Sequence, residues 1–302
     1  MNALVSVVIP TYNRARDLKR ALNSVVAQTF SDWEVLVVDN HSNDNTDDLV
    51  KSFSDPRMSL LKIHNEGVIA ASRNLGIEHS QGEYIAFLDS DDWWLPKKLE
   101  SSLKYLGKGA DIVYHDMYVV TRAGQKRFWR KDRARDLTSP VFEDLICNGN
   151  ALKNSSVVVR RKLLKEIGGL AEDDALVAME DYDAWLRAGK VTEKFKRIPE
   201  TLGYYWAGGG NTGDPRKAIK HLDAFERRYS TDLRKLNMGV SGTWWVNYSR
   251  GRAYYLSGCH ADAKMALNKL RWAQVSLGVV VKTIWMKSMI SLLHRSEVRR
   301  TG

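Results

Sequence analysis

Gly82-Glu83-Tyr84-Ile85-Ala86-Phe87-Leu88-Asp89-Ser90-Asp91-Asp92-Trp93 is the stretch whose reading decides the fold. Its middle, Tyr84 to Leu88, is a continuous apolar run between Gly82 and a group of acids, the pattern of a strand buried on both faces. Asp89, Asp91 and Asp92 then place three carboxylates within four residues. Such groups repel one another, and a bound cation relieves the repulsion. A hard cation such as Mg²⁺ takes oxygen ligands and keeps room for water and phosphate. An Asp-x-Asp at the carboxyl end of a central strand is where a metal–diphosphate complex would sit. The tripeptide alone also fits an ordinary turn, so its neighbours carry the weight.

Working toward the N-terminus, short apolar runs alternate with helical patterns. Val5 to Ile9 is a β-branched strand ended by Pro10, and Arg16 to Ala27 puts Leu18, Ala21, Leu22, Val25 and Val26 on one helical face. Glu34 to Val38 reads as a second strand, Asn45 to Asp48 opens a short helix, and Leu60 to Ile63 reads as a third strand. A helix is expected from about Val68 to His79. Continuous rather than alternating apolar strands, separated by helices, predict an α/β domain with a doubly wound, mostly parallel sheet covered on both faces. Beyond Pro96 the order becomes mixed. Helices are expected at about 97–106, 141–147, 161–167 and 180–188, with strands at 111–120, 155–160, 194–198 and 202–206. A domain boundary is placed after the polar Gly208–Gly213 stretch, which separates residues 1–213 from a helical C-terminal region, 214–302.

Composition narrows the class. The chain has 302 residues, 44% hydrophobic and 10% aromatic, which is enough for a large domain and an appendage. Its two cysteines, Cys147 and Cys259, suggest neither a disulfide framework nor a zinc site. No apolar stretch is long enough to span a bilayer, and the run from Met1 directly into a strand leaves no room for a signal peptide. The expected home is therefore the cytoplasm. Net charge is +10, with a basic excess from Lys264 onward that suits an anionic partner. The last helix, about Val275 to Leu293, is either a core helix or lies in a membrane interface with Lys282 and Lys287 at the head groups. The latter would place the protein peripherally on the inner face of the cytoplasmic membrane. No nucleic-acid motif is found, and no nucleic acid partner is expected.

Three clusters fall at the carboxyl ends of expected strands: Pro10-Thr11-Tyr12-Asn13-Arg14, Asp39-Asn40-His41-Ser42 and Asp89-Ser90-Asp91. In an open parallel sheet these ends lie along one edge and would line a common crevice. A nucleotide suits such a crevice. Asp39 can accept from a base N–H, Thr11 and Tyr12 can flank the ring, and Asp91 can hold a metal on the diphosphate. Arg73, in Ala71-Ser72-Arg73-Asn74-Leu75-Gly76, can reach a phosphate or simply be an exposed helical arginine.

Taken in order, Ser6 to Arg14, Val37-Val38-Asp39, Ala71 to Gly76 and Gly82 to Trp93 resemble the family 2 glycosyltransferases of the GT-A fold, which include bacterial surface-polysaccharide enzymes. The resemblance covers roughly residues 4–212. It implies a nucleotide-sugar donor, most simply a UDP-sugar, a divalent metal (Mg²⁺ or Mn²⁺), a glycan or lipid-linked acceptor, and inversion at the anomeric carbon. The donor-binding residues it implies are Pro10, Thr11, Tyr12, Asn13, Asp39, Arg73, Asp89, Ser90 and Asp91. The domain would divide into a nucleotide-binding half, about 1–110, and an acceptor half, about 111–213. The family places an acidic pair at the start of a later helix, matched here by Glu180-Asp181-Tyr182-Asp183. Inverting transfer needs one carboxylate to take the acceptor's proton, a role the resemblance gives to Asp181 with Glu180 in reserve.

Two departures stand out. Asn40 replaces a frequent second Asp, and Gly208 falls where many members carry a His near the metal or diphosphate. The second leaves open an alternative, a sugar-nucleotide or membrane-binding protein of this fold with weak or no turnover.

Overall fold

The structure, a computed structural model, describes residues 4–208, 215–236, 243–270, 275 and 277–301, with side chains as far as Leu292. The polar stretch expected to mark the domain boundary lies, after Gly208, outside the described residues.

The N-terminal half follows the alternation of apolar runs. In chain order it comprises β1 (Val5–Thr11), α1 (Ala15–Val26), β2 (Trp33–Asp39), α2 (Thr46–Ser52), β3 (Met58–Lys62), α3 (Ile69–His79) and β4 (Tyr84–Phe87). Next come β5 (Trp93–Trp94), α4 (Lys98–Leu106), β6 (Ile112–Val120), β7 (Lys131–Asp132), α5 (Val141–Asn148), β8 (Val158–Arg160), α6 (Arg161–Glu166), α7 (Glu180–Gly189) and β9 (Phe195–Trp206). Nine strands among the described residues form one sheet in the order β3-β2-β1-β4-β8-β6-β9-β5, with β7 paired to β6. The first four strands are mutually parallel, and β1 is central: Thr11 stands opposite Asp39 on one side, and Val8 opposite Phe87 on the other.

Alternation of side chains along β1 and β2 explains why both faces are covered. Val5, Val7, Ile9, Val35 and Val37 share a core with Leu18, Ala21, Leu22 and Val25 of α1. Val8 and Val38 point the other way and meet α3 at Gly76. A Cβ there would stand 2.5 Å from Val8 Cγ1, so only glycine lets α3 lie this close to the sheet. Val26, expected on the buried face of α1, is 47% exposed, because it occupies the last turn where the helix leaves the sheet.

The second half reverses direction. Strand β8 is antiparallel to both β4 and β6, while β6 and β9 are parallel. The strands expected at 194–198 and 202–206 are one strand, β9, whose pairing with β6 shifts register around His115–Met117. Residues 155 and 156, expected to open a strand over 155–160, belong instead to a 3₁₀ turn, Asn154–Ser156, ahead of β8. The two-residue strands β5 and β7 carry too little pattern to be seen in sequence.

Lys98 is the least expected member of this core. It is fully buried, its Nζ has no hydrogen-bond partner, and it lies 3.8 Å from the centroid of Trp94. Burial pushes its pKa well below the usual 10.5. The unfolded chain therefore binds a proton that the folded chain does not, and stability falls as pH drops below about 10. Lys98→Met removes that cost. A rise in Tm of roughly 2–10 °C near neutral pH is expected, shrinking as pH approaches 10. Thermal melts from pH 6 to pH 10 check this, and a variant melting below the native protein at pH 6 refutes it.

Contacts divide the chain into two compact units, one of residues 1–145 with 150–210 and one of 146–149 with 211–302. In the second unit, α8 (Pro215–Arg228), α9 (Ser230–Lys235), α10 (Trp244–Leu256), α11 (His260–Asn268) and α12 (Leu277–Thr301) pack on one another. Arg250 ties α10 to α8 by bonding Asp223 at 2.7 Å and Glu226 at 2.6 Å. Gly251 admits Leu267 of α11, and Leu267, Leu270 and Met286 form a small core. Helix α12, expected over about 275–293, buries Met286 and Ile290 but leaves Val281, Ile284 and Trp285 exposed. Among the described residues, no helix is long and apolar enough to cross a membrane.

Candidate functional site

The loops after β1, β2 and β4 lie beside one another at the carboxyl ends of the parallel strands and are tied by specific bonds. Asn13, at φ 49°, receives Asn43 N–H on Oδ1 at 2.7 Å and donates its own N–H to Ser42 Oγ at 2.8 Å. Ser42 in turn donates its hydroxyl to Asp39 Oδ1 and its N–H to Oδ2 at 3.0 Å. Asp39 is fully buried, and Lys62 from the end of β3 donates to its Oδ2 at 2.7 Å. Each Asp39 oxygen thus has a partner already, and a base N–H would share one of them. His41 and His64 stack 3.7 Å apart beside this group. Pro10 and Thr11 are buried at the end of β1, whereas Tyr12 is 53% exposed, free to cover a flat ligand.

Arg73 is not an exposed helical arginine. It is buried in α3, donating from Nη1 to Glu180 Oε1 at 2.5 Å and from Nη2 to Asp89 Oδ1 at 2.7 Å. Burial opposes its charge, but the carboxylates of Asp89 and Glu180 outweigh that and hold its pKa above the usual arginine value. One guanidinium therefore joins the acidic loop after β4 to the acidic first turn of α7, across 107 residues of sequence.

The Asp89–Asp92 turn closes with Asp92 N–H to Asp89 O at 3.0 Å. Asn154 donates to Asp89 Oδ1 at 3.2 Å, and Asp89 N–H donates to Ser155 Oγ at 3.0 Å. Arg14 donates to Asp91 Oδ2 at 2.8 Å, and Arg20 to the Asp91 carbonyl at 2.7 Å. Ser90 is buried within the turn. Burial and the Asp89 charge, opposed by Arg14, push the Asp91 carboxyl up to about 6. Asp92 is raised well above the carboxylate range by burial and its two acidic neighbours.

The donor set fits a hard cation. Asp89 adds its charge to the burial that raises the Asp91 carboxyl, and a divalent ion would relieve that crowding. Among the described residues, no group of three or more His, Cys, Asp or Glu side chains is arranged as a metal cage. Gly208 explains why no His helps. A Cβ at 208 would stand 2.7 Å from Trp206 Cε2, so the indole already fills that space. Trp206 is itself fixed, its N–H donating to Asp92 Oδ1 at 2.7 Å.

Asp181 is half-buried in the first turn of α7. Its carboxyl is raised to about 7 by burial and by Glu180, against the pull of Arg73. Glu180 is buried with Oε2 unpartnered, as is Asn154 Oδ1. The structure thus connects Asn13, Arg14, Asp39, Arg73, Asp89, Asp91 and Glu180 through the strand ends and the bonds above, with Asp181 next in chain to Glu180. Sequence reasoning missed the partners that hold these groups: Lys62, Asn154, Ser155 and Trp206. Lys62 and Trp206 carried only the signal of standing at the end of a strand, and Asn154 and Ser155, in the turn ahead of β8, carried none.

Comparison with known proteins gives the family and the fold. The family model described as glycosyl transferase family 2 matches residues 6–168. An uncharacterized glycosyltransferase of Methanocaldococcus jannaschii is 32% identical over 208 residues, covering 66% of this chain and 69% of its own. A UDP-Glc:α-D-GlcNAc-diphosphoundecaprenol β-1,3-glucosyltransferase of Escherichia coli is 41% identical over 117 residues, 39% of this chain and 46% of that enzyme. The chain therefore matches less than half the length of that characterised relative. A mannosyltransferase of Pyrobaculum calidifontis, solved with GDP-Man and Mn²⁺, superposes with a TM-score of 0.59 at 17% identity, covering 99% of this chain and 87% of its own. That likeness concerns the fold, which is of the GT-A type. With the family model matching more than half of its residues, the chain belongs to the family 2 glycosyltransferases.

Proposed function

We propose that the protein transfers a sugar from a UDP-sugar to a hydroxyl of a glycan or lipid-linked acceptor, with inversion and with Mg²⁺ or Mn²⁺. The observation that carries this reading is the Arg73 bridge. It couples the carboxylates suited to the donor diphosphate, Asp89 with Asp91, to the pair suited to the acceptor, Glu180 with Asp181. In that arrangement Tyr12 covers the base, Asp39 accepts from its N–H, and Pro10, Thr11, Asn13 and Ser90 shape the pocket floor. Asp89 and Asp91 would hold the metal, whose charge would offset that of the departing diphosphate. Asp181, with its pKa near 7, takes the proton from the acceptor oxygen as that oxygen forms its bond to the anomeric carbon. Glu180 fixes Arg73. Its unpartnered Oε2, with Asn154 Oδ1, offers acceptors to sugar hydroxyls, which removes an unsatisfied-group cost of about 1–3 kcal/mol each. The relative that uses UDP-Glc supports the nucleotide choice, and the diphosphoundecaprenol in its name supports a lipid-linked acceptor.

A panel of UDP-, GDP- and dTDP-sugars with Mn²⁺, with and without a chelator, tests the reading. Turnover of a UDP-sugar that stops on chelation is expected. Binding of a donor without turnover on any acceptor would favour a binding protein of this fold, and absence of both would end the proposal.

A further inference from the structure

Among the described residues, positive charge without an acidic partner gathers beside the carboxylate cluster, on the segment 121–135. Its base is a β-hairpin: Met117 and Tyr118 of β6 pair with Asp132 and Lys131 of β7, and Val119 N–H donates to Arg130 O at 2.8 Å. The tip is folded on Gln125, whose N–H reaches Arg122 O at 3.2 Å and whose Nε2 reaches Arg127 O at 3.0 Å. Arg122, Lys126, Arg127, Arg130 and Arg133 are exposed and form no ion pair among the described residues. The one acid of the segment, Asp132, is already paired with Lys153 at 3.1 Å. Trp129 stands among these cations 74% exposed, the most exposed of the large aromatic side chains described.

These five cations on one short hairpin repel one another, and among the described residues none of them is paired with an acid. An arginine-rich surface with an exposed indole matches a lipid–water interface. The guanidinium groups meet anionic phosphates, and the indole sits at the head-group level with its N–H still in water. The hairpin also adjoins the site. Phe128 packs edge-on against Tyr204 at 4.8 Å, Tyr204 stacks on Trp93 at 4.8 Å, and Trp93 follows Asp91 by two residues. Arg20 completes the connection, 3.9 Å from the Trp93 ring while bonded to the Asp91 carbonyl.

We propose that the 121–135 hairpin is a membrane-docking element that binds anionic lipid head groups and holds the neighbouring carboxylate cluster at the bilayer surface. The basic C-terminal region singled out in the sequence is not needed for this contact.

The test is sedimentation of the full chain with vesicles of phosphatidylglycerol and phosphatidylcholine, or of phosphatidylcholine alone, at low and physiological salt. The native chain should sediment with the anionic vesicles, more at low salt, and not with the neutral ones. Replacing Arg122, Lys126, Arg127 and Arg130 together by Ser should lower the partition coefficient by roughly a hundredfold or more. Replacing the three arginines by Lys keeps the charge and should retain most of the binding, which separates lost charge from lost folding. Ile284→Ser with Trp285→Ser on α12 should leave binding unchanged. Native-like sedimentation of the Ser variant overturns the proposal. So do equal binding to neutral vesicles, loss of binding only in the α12 variant, and a native chain that ignores anionic vesicles but binds RNA. No donor or acceptor sugar is present, so this result is independent of the transfer assay.

Discussion

Asp181→Asn should abolish sugar transfer while leaving the fold and donor binding intact. Asparagine is nearly isosteric and can still accept the Tyr182 N–H that reaches Asp181 Oδ1 at 2.7 Å, but it cannot take a proton. Loss of a general base reduces turnover by about 10²–10⁴-fold. The native rate should rise with pH through an apparent value near 7 and then level, because only the ionised carboxylate is competent and its pKa is about 7. The same shift has a stability sign. A carboxyl raised from 3.8 binds its proton more tightly in the folded state, so its contribution is fully present below pH 3.8 and is lost as pH rises through 7. Asn removes that loss, and the variant should melt above the native protein at pH 8. Steady-state kinetics, donor titration and melting curves on the same preparation decide the matter. Acceptor-dependent turnover within tenfold of native would remove Asp181 from the proposed role.

Arg73→Leu should be the most destabilising single change in the site. It strips Glu180 Oε1 of its donor, removes one of the two donors to Asp89 Oδ1, and leaves negative charge at a buried position. Breaking a buried pair from one side costs about 3–5 kcal/mol, which for a chain of this size lowers Tm by roughly 5–8 °C. Arg73→Leu combined with Glu180→Leu should recover a large part of that stability, since both charges leave the interior together, yet should remain inactive. A double-mutant cycle by denaturant or heat measures the coupling. A single variant that melts with the native protein would show that the bridge contributes nothing to the fold.

How much of this could be seen in the sequence depended on whether the cause was local. The parallel half of the sheet was legible because Val7–Ile9, Val35–Val38 and Tyr84–Leu88 are short, uninterrupted apolar runs, the pattern of strands covered on both faces. The candidate residues at strand ends were legible for the same reason: once the strands are placed, Thr11 and Asp39 must be neighbours. What could not be read were the long-range partners. Nothing in Lys62 or Asn154 distinguishes it from any surface residue, since its meaning comes from a strand register or a turn set elsewhere. Arg73 illustrates the limit most clearly, because an isolated helical arginine is usually solvated and only the fold brings Glu180 to it. The reversed strand β8 was hidden as well, its three residues being too few to show direction. The basic hairpin was hidden by composition, since its cations merged into the overall excess until the absence of ion pairs separated them.

The distance in sequence between Arg73 and Glu180 also bears on biosynthesis. At a translation rate of about 5–20 residues per second, the 107 residues between them take roughly 5–20 s to add. Throughout that interval the first four strands are available to pair, but the guanidinium on α3 has no counterion from α7 and is better hydrated than enclosed. Final closure of α3 over the sheet must therefore wait for the polypeptide to emerge past residue 180. A nascent or prematurely released fragment would keep this helix loose, and with it the grip on Asp89.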